Sequence, residues 1–172
     1  DWASLRRRFQ HDRRLLIPDF LEDAAAERLH AALATEVPYD LAVRHDGADR
    51  KLITPTDAAA ATAVAQAAEE ATGQRYGFAY ESYMMVTAYL EGRDPQLPLH
   101  RLLEVLNSPN YLELMRFLTG KPVIKLDAQA TRYRPGHFLR RHNDFHLSDG
   151  RLCAYVLNLT QGWQADWGGL LQ

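Results

Sequence analysis

Two residues set the chemical question for this chain. His142 and Asp144 stand one residue apart, at the end of the run Tyr133-Arg-Pro-Gly136-His-Phe138-Leu139-Arg-Arg-His142-Asn-Asp144. On an extended strand, side chains two apart share a face. An imidazole and a carboxylate so placed can occupy adjacent corners of one metal ion. One more histidine would complete the facial triad that leaves three positions open for non-haem iron(II) chemistry. The spacing alone is short and common, and a polar surface turn would satisfy it equally well. His137 precedes the pair and His146 follows it, so a local His142–Asp144–His146 set is conceivable. Three ligands from five consecutive residues would strain the backbone, so His146 is expected in a loop near a substrate entrance. His11, His30, His45 and His100 fall in expected helices or turns and read as ordinary surface or satisfied residues.

The elements that must position this pair change character at Pro122. In residues 123–133, Ile124, Leu126, Ala128 and Ala130 alternate with Lys125, Asp127, Gln129 and Thr131. That is a strand with one apolar and one polar face, the polar one looking at water or a wet cavity. Leu152–Leu159 reads as a more uniformly apolar, central strand, and a third is expected over about residues 137–142. Upstream, residues 5–14 with five arginines suit an amphipathic helix with a solvated face, and Leu15–Ile17 a short strand stopped by Pro18-Asp19. The apolar spacing predicts a helix over 21–34. Tyr39–Arg44 and Lys51–Thr54 read as strands around the turn-prone His45-Asp46-Gly47.

An alanine-rich helix capped by Thr56 or Asp57 runs to about Thr72, where Gly73 stops it. Residues 76–91 read as a strand or extended region. Helices follow over 97–106 and 109–119, the second with Ser108 as N-cap, Pro109 at its first position and Gly120 past its end. Helices first and an antiparallel sheet later indicate one α+β unit over residues 1–172, with the 21–34 and 56–72 helices on the outer face of the sheet.

The company of the His-x-Asp pair carries a resemblance. Tyr133 and Gly136 precede it, and Arg151, an apolar strand ending Leu157-Asn158-Leu159, Trp163 and Gly168-Gly169-Leu170 follow. In this order, with the strand and Ile17-Pro18-Asp19-Phe20-Leu21 upstream, the chain resembles the 2-oxoglutarate/iron(II) dioxygenases in their prolyl 4-hydroxylase-like branch. The resemblance implies a double-stranded β-helix (jelly roll) supported by N-terminal helices. It implies Fe(II) and 2-oxoglutarate as cofactors, with ascorbate as an accessory. His142 and Asp144 would be two of the three iron ligands. Tyr133 would hydrogen-bond 2-oxoglutarate, and Asn158 takes the position where the branch often carries a tyrosine touching the same cosubstrate. A carboxylate at Asp144 fills the site a halide would need, favouring hydroxylation over halogenation. The family's second histidine and its carboxylate-pairing Arg or Lys lie beyond the GGxL strand. They are therefore expected, with the last jelly-roll strands, in a C-terminal part of the natural protein beyond Gln172.

Composition narrows the partners. The 172 residues carry 20 basic and 22 acidic side chains. No global field therefore recruits nucleic acid or an anionic membrane. The single cysteine, Cys153, excludes an internal disulfide framework and reads as a buried small hydrophobe. No window approaches the ~20 apolar residues of a membrane span, and no signal peptide is visible. The chain starts at Asp1, so its natural N-terminus is expected upstream, and a reducing, cytoplasmic setting is expected. The leading expectation is a hydroxylase acting on a prolyl residue of a protein, with small-molecule substrates and the oligomeric state left open. The alternative is a catalytically inactive jelly-roll binding or scaffold domain. A zinc hydrolase would need a general base that nothing in the sequence nominates.

Overall fold

The computed structural model describes residues 1–44, 51–53, 57–73, 75–142, 144 and 150–169. The expected turn at His45–Gly47, the cap at Thr56, and His146 and Leu170 lie outside the described residues. Six helices are described: α1 (Trp2–Asp12), α2 (Asp23–Thr35), α3 (Asp57–Glu70), α4 (Met85–Leu90), α5 (Pro98–Leu106) and α6 (Pro109–Thr119). Interleaved with them are strands β1 (Asp40–Val43), β2 (Lys51–Ile53), β3 (Phe78–Met84), β4 (Gln129–Arg132) and β5 (Phe138–Leu139). The result is an α+β arrangement with an antiparallel sheet.

Local chemistry accounts for the helix ends. The Ser108 hydroxyl accepts from the Tyr111 amide at 3.4 Å, Pro109 occupies the first turn, and Gly120 closes α6 at φ 66°. In α5, Leu99, Leu103 and Leu106 fall on one buried stripe. The sheet runs β2-β1-β3-β4, with β5 also paired to β3. β4 and β5 lie along the same edge of β3 as one interrupted strand. Six residues lead from Arg132 to Phe138, whereas two lead from their partners, Glu81 to Ala79. The extra residues loop out between the two pairings, and Gly136 takes the left-handed conformation there at φ 88°.

The core lies between the sheet and the helices. Tyr39, Tyr83 and Ala130 pack with Leu29 of α2, Ala88 of α4 and Leu99 and Leu103 of α5. Leu41, Val43 and Ala79 pack with Ala67 of α3. α2 and α3, expected over 21–34 and 56–72, thus pack on one face of the sheet, as expected. The opposite face carries Ala42, Phe78, Tyr80 and Leu139.

Several expected elements come out differently. Residues 76–91 split into β3 and α4, because Met85 and Ala88 recur at helical spacing and bury against the helical core. The 123–133 strand shortens to β4. Its first paired residue, Gln129, faces Met84, and beyond Met84 the partner chain turns into α4. The 137–142 strand shortens to β5 for the matching reason at the start of β3, although the Arg140 amide still donates to the Gly77 carbonyl at 3.0 Å.

Leu15–Ile17 is irregular. Residues 152–159, expected as a central strand, belong to no strand among the described residues. They dock through side chains instead. Cys153, Tyr155, Leu157 and Leu159 turn inward while Leu152, Ala154, Val156 and Asn158 are exposed. Cys153 is half-buried rather than buried, and burial pushes its thiol pKa up.

Candidate functional site

The site is assembled by sheet register. Thr131 pairs with Ser82. Two residues further along the strand, Tyr133 therefore comes opposite Tyr80, on the face away from the helices. The two rings stack at 5.4 Å. Phe78 lies 5.4 Å from Tyr80, and Tyr76 lies 5.8 Å from Phe78. The row ends at His142, whose ring lies 6.0 Å from that of Tyr76. Tyr133 and the His-x-Asp pair thus stand at the two ends of one aromatic file.

His142 is oriented by its own backbone. Its Nδ1 lies 3.1 Å from the Arg140 carbonyl and must donate to it, because a carbonyl can only accept. In the neutral ring that leaves Nε2 with a lone pair, 3.5 Å from Asp144 Oδ1. A lone pair and a carboxylate oxygen repel unless a proton or a cation stands between them. A histidine that donates one ring nitrogen to a carbonyl and presents the other to an anionic neighbour is arranged as metal-binding histidines are. The pair therefore fits a divalent cation, and both side chains are open to solvent. Among the described residues no cluster of three His, Cys, Asp or Glu is present. His137 behaves differently. Its Nδ1 is buried with no partner among the described residues, and burial pushes its pKa down.

Tyr133 is half-exposed, yet burial of its hydroxyl and the neighbouring Tyr80 and Tyr76 hold its pKa above the ordinary tyrosine range. Its hydroxyl stays a hydrogen-bond donor. Tyr76 is raised as well, first by burial and then by Tyr80, with the Asp144 charge contributing. Asn158 does not join this group. It is exposed, and its Oδ1 accepts from the Thr160 amide at 3.0 Å. Its segment is tied elsewhere: the Tyr155 hydroxyl donates to the Asp127 carbonyl at 2.9 Å, and His30 Nδ1 donates to the Leu159 carbonyl at 2.9 Å. Trp163 Nε1 donates to the Gly168 carbonyl at 3.0 Å, bracing a short 3-10 turn, Ala165–Trp167.

The helix-side face holds the strand that delivers Tyr133. Glu81 is buried and pairs through Oε2 with Arg132 Nε and through Oε1 with Arg134 Nε at 2.8 Å. The Arg132 guanidinium also donates to the Ala34 carbonyl at 2.8 Å and sits 4.4 Å over the Tyr39 ring. Tyr133 is thereby flanked by two anchored residues.

Tyr76, Phe78 and Tyr80 were absent from the sequence-derived site. Their spacing of two marked them, since alternate aromatic residues on a strand share a face. Beside Tyr76 lies a cavity of about 390 Å³, bounded by Arg44, Ala67, Glu70, Ala71, Arg75 and Tyr76. Gly77 completes its wall, and a Cβ there would come within 2.5 Å of the Ala71 Cβ.

Residues 128–172 match the family model of the 2OG-Fe(II) oxygenase superfamily. The matched stretch begins just before β4 and contains Tyr133, His142 and Asp144. No curated protein and no solved structure matches the chain. The superfamily generally uses Fe(II) and 2-oxoglutarate. The segment holding the candidate pair is therefore similar to an oxygenase that uses both.

Proposed function

We propose that this protein is an iron(II)- and 2-oxoglutarate-dependent hydroxylase acting on a C–H bond, with a prolyl residue of a protein as substrate. One observation carries the reading. Within the matched segment, His142 Nδ1 is committed to the Arg140 carbonyl and Nε2 faces Asp144 Oδ1 at 3.5 Å. His142 and Asp144 would hold the iron. Bound iron supplies the oxidising chemistry, in which dioxygen and 2-oxoglutarate yield succinate, carbon dioxide and a hydroxylated substrate carbon. Tyr133, held protonated by its surroundings, would donate to 2-oxoglutarate, whereas Asn158, whose segment is tied to Asp127 and His30, is left out of that contact. The half-exposed rings at the ends of the file, Tyr76 and Tyr133, offer apolar surface against which a proline ring packs. A jelly roll carried by the sheet, its α2 and α3 supports and the 150–169 segment is the architecture this reading implies, in a cytoplasmic setting. The test is succinate release in the presence of proline-containing peptides, with and without iron(II). Iron-dependent succinate supports the hydroxylase; a protein that binds peptide and releases no succinate with iron is a scaffold domain instead.

A further inference from the structure

Acidic and basic side chains nearly cancel over the whole chain, yet five of the 20 basic residues fall between Arg6 and Arg14. At physiological ionic strength charges are screened beyond ~8 Å, so a nearby surface responds to this cluster and not to the net charge of the molecule. α1 lies against α6 with Leu5 and Phe9 half-buried, and the Arg6 guanidinium sits 4.9 Å over the Phe117 ring. Arg6 thus serves that packing. Arg7, Arg8, Arg13 and Arg14 are exposed.

The helix arranges these four. Arg7 and His11 stand four apart on one side of α1, with Arg8 beside them. α1 ends where Arg13 takes the left-handed conformation at φ 57°, and Arg13 and Arg14 carry exposed charge past that end. Asp12 is the acid among them. Its pKa is lowered first by the hydrogen bond with His11, at 2.6 Å, and then by the charges of Arg14 and Arg8. Among the described residues no carboxylate forms an ion pair with any of the four arginines. Four arginines against one aspartate leave three positive charges unanswered. Two exposed apolar side chains flank them, Trp2 at 48% and Leu16 at 78% exposure.

We infer that α1 and the turn after it form a docking face for an anionic lipid surface. Arginines reach the headgroups, a tryptophan settles at headgroup level, and an aliphatic side chain enters the hydrocarbon boundary. A nucleic acid would satisfy the arginines but give Leu16 nothing to bury against. The chain lies on this surface, since no helix among the described residues is long and apolar enough to cross a membrane. None of the docking residues belongs to the candidate iron site, so the docking face and the hydroxylase reading stand or fall separately.

The experiment is co-sedimentation of the whole chain with vesicles of phosphatidylcholine alone, or of phosphatidylcholine with one-third phosphatidylserine. The serine lipid should be bound about a hundredfold tighter, because each arginine near an anionic surface contributes about fivefold. Arg7→Gln/Arg8→Gln should remove about thirtyfold of that preference and keep the wild-type urea midpoint, since both positions are exposed. Arg93→Gln/Arg101→Gln removes two exposed charges elsewhere, on arginines paired with Glu91 and Glu104, and should leave vesicle binding unchanged. Leu16→Ser should weaken binding to the serine vesicles about tenfold. Equal binding to the two vesicle types, or equal losses in the two double variants, would overturn the docking face. Unchanged binding by Leu16→Ser, or tighter binding to a duplex DNA oligonucleotide than to the serine vesicles at the same salt, would overturn lipid as its partner.

Discussion

The two faces of the sheet are built on opposite principles. The helix-side face is closed: Leu41, Val43, Ala79 and Tyr83 are buried against α2, α3, α4 and α5. The charged group there, Glu81, is answered by two arginines. The other face is a file of rings whose middle, Phe78 and Tyr80, is buried and whose ends, Tyr76 and Tyr133, are about half exposed. Burial fixes the first face, and backbone register fixes the second, since pairing with β3 decides which side chains stand in the row. The proposed chemistry falls on the face that the helices leave uncovered. A substitution on one face should therefore change folding stability and spare ligand binding, and a substitution on the other should do the reverse.

The largest expected effect is on the closed face. Leu41 is 1% exposed, so Leu41→Ala leaves a cavity between β1 and α3. It should cost about 3 kcal/mol of unfolding free energy, within the ~2–5 kcal/mol range for buried leucines. Urea denaturation measures this, and a cost below about 1 kcal/mol would mean that the face is less closed than its burial indicates. Glu81→Ala comes next. Removing one partner of a buried ion pair costs ~3–5 kcal/mol, but Arg134 is well exposed and turns to water, so about 2 kcal/mol is expected. The same denaturation series tests it. A variant as stable as the wild type would show that the arginines anchor nothing.

On the open face the expected signature is inverted. Tyr133→Phe should leave the urea midpoint unchanged and weaken 2-oxoglutarate binding by about one hydrogen bond, roughly 0.5–1.5 kcal/mol. Calorimetric titration of the iron-loaded protein reads this directly, and unchanged affinity would remove Tyr133 from the cosubstrate site.

The smallest effect sharpens the boundary between the faces, at His137 in the loop between β4 and β5. Burial lowers its folded pKa, so the folded state resists a proton that the unfolded chain accepts. Stability is then full above the ordinary histidine value of about 6.5 and falls as pH drops below it. His137→Gln should flatten that part of the stability–pH curve. Identical slopes for the two proteins would assign the acid sensitivity to other groups.

Legibility in the sequence followed the range of the interactions. The ends of α6 were readable because Ser108, Pro109 and Gly120 act within one turn of the backbone. The lengths of β4 and β5 were not, because they depend on where β3 begins and ends, and the switch to α4 at Met85 is decided by packing against the helical core. Apolar content in 152–159 pointed to a strand, but a strand needs backbone pairing, and here the burial alternates while no ladder is formed among the described residues. At the site, the shared location of His142 and Asp144 followed from their spacing, and Tyr133 stood on the polar side of its strand as the alternation indicated. Its link to them through Tyr80, Phe78 and Tyr76 is a property of cross-strand register, which a single segment of sequence does not encode.

The functional assignment depends on whether His142 and Asp144 hold a metal, and an anaerobic iron(II) titration of the wild type, Asp144→Ala and His146→Ala tests that most directly. The wild type should bind one equivalent of iron(II), Asp144→Ala should lose it, and His146→Ala should retain it. Loss in His146→Ala as complete as in Asp144→Ala would place all three ligands within five residues. An Asp144→Ala protein that binds iron as tightly as the wild type would contradict the site itself.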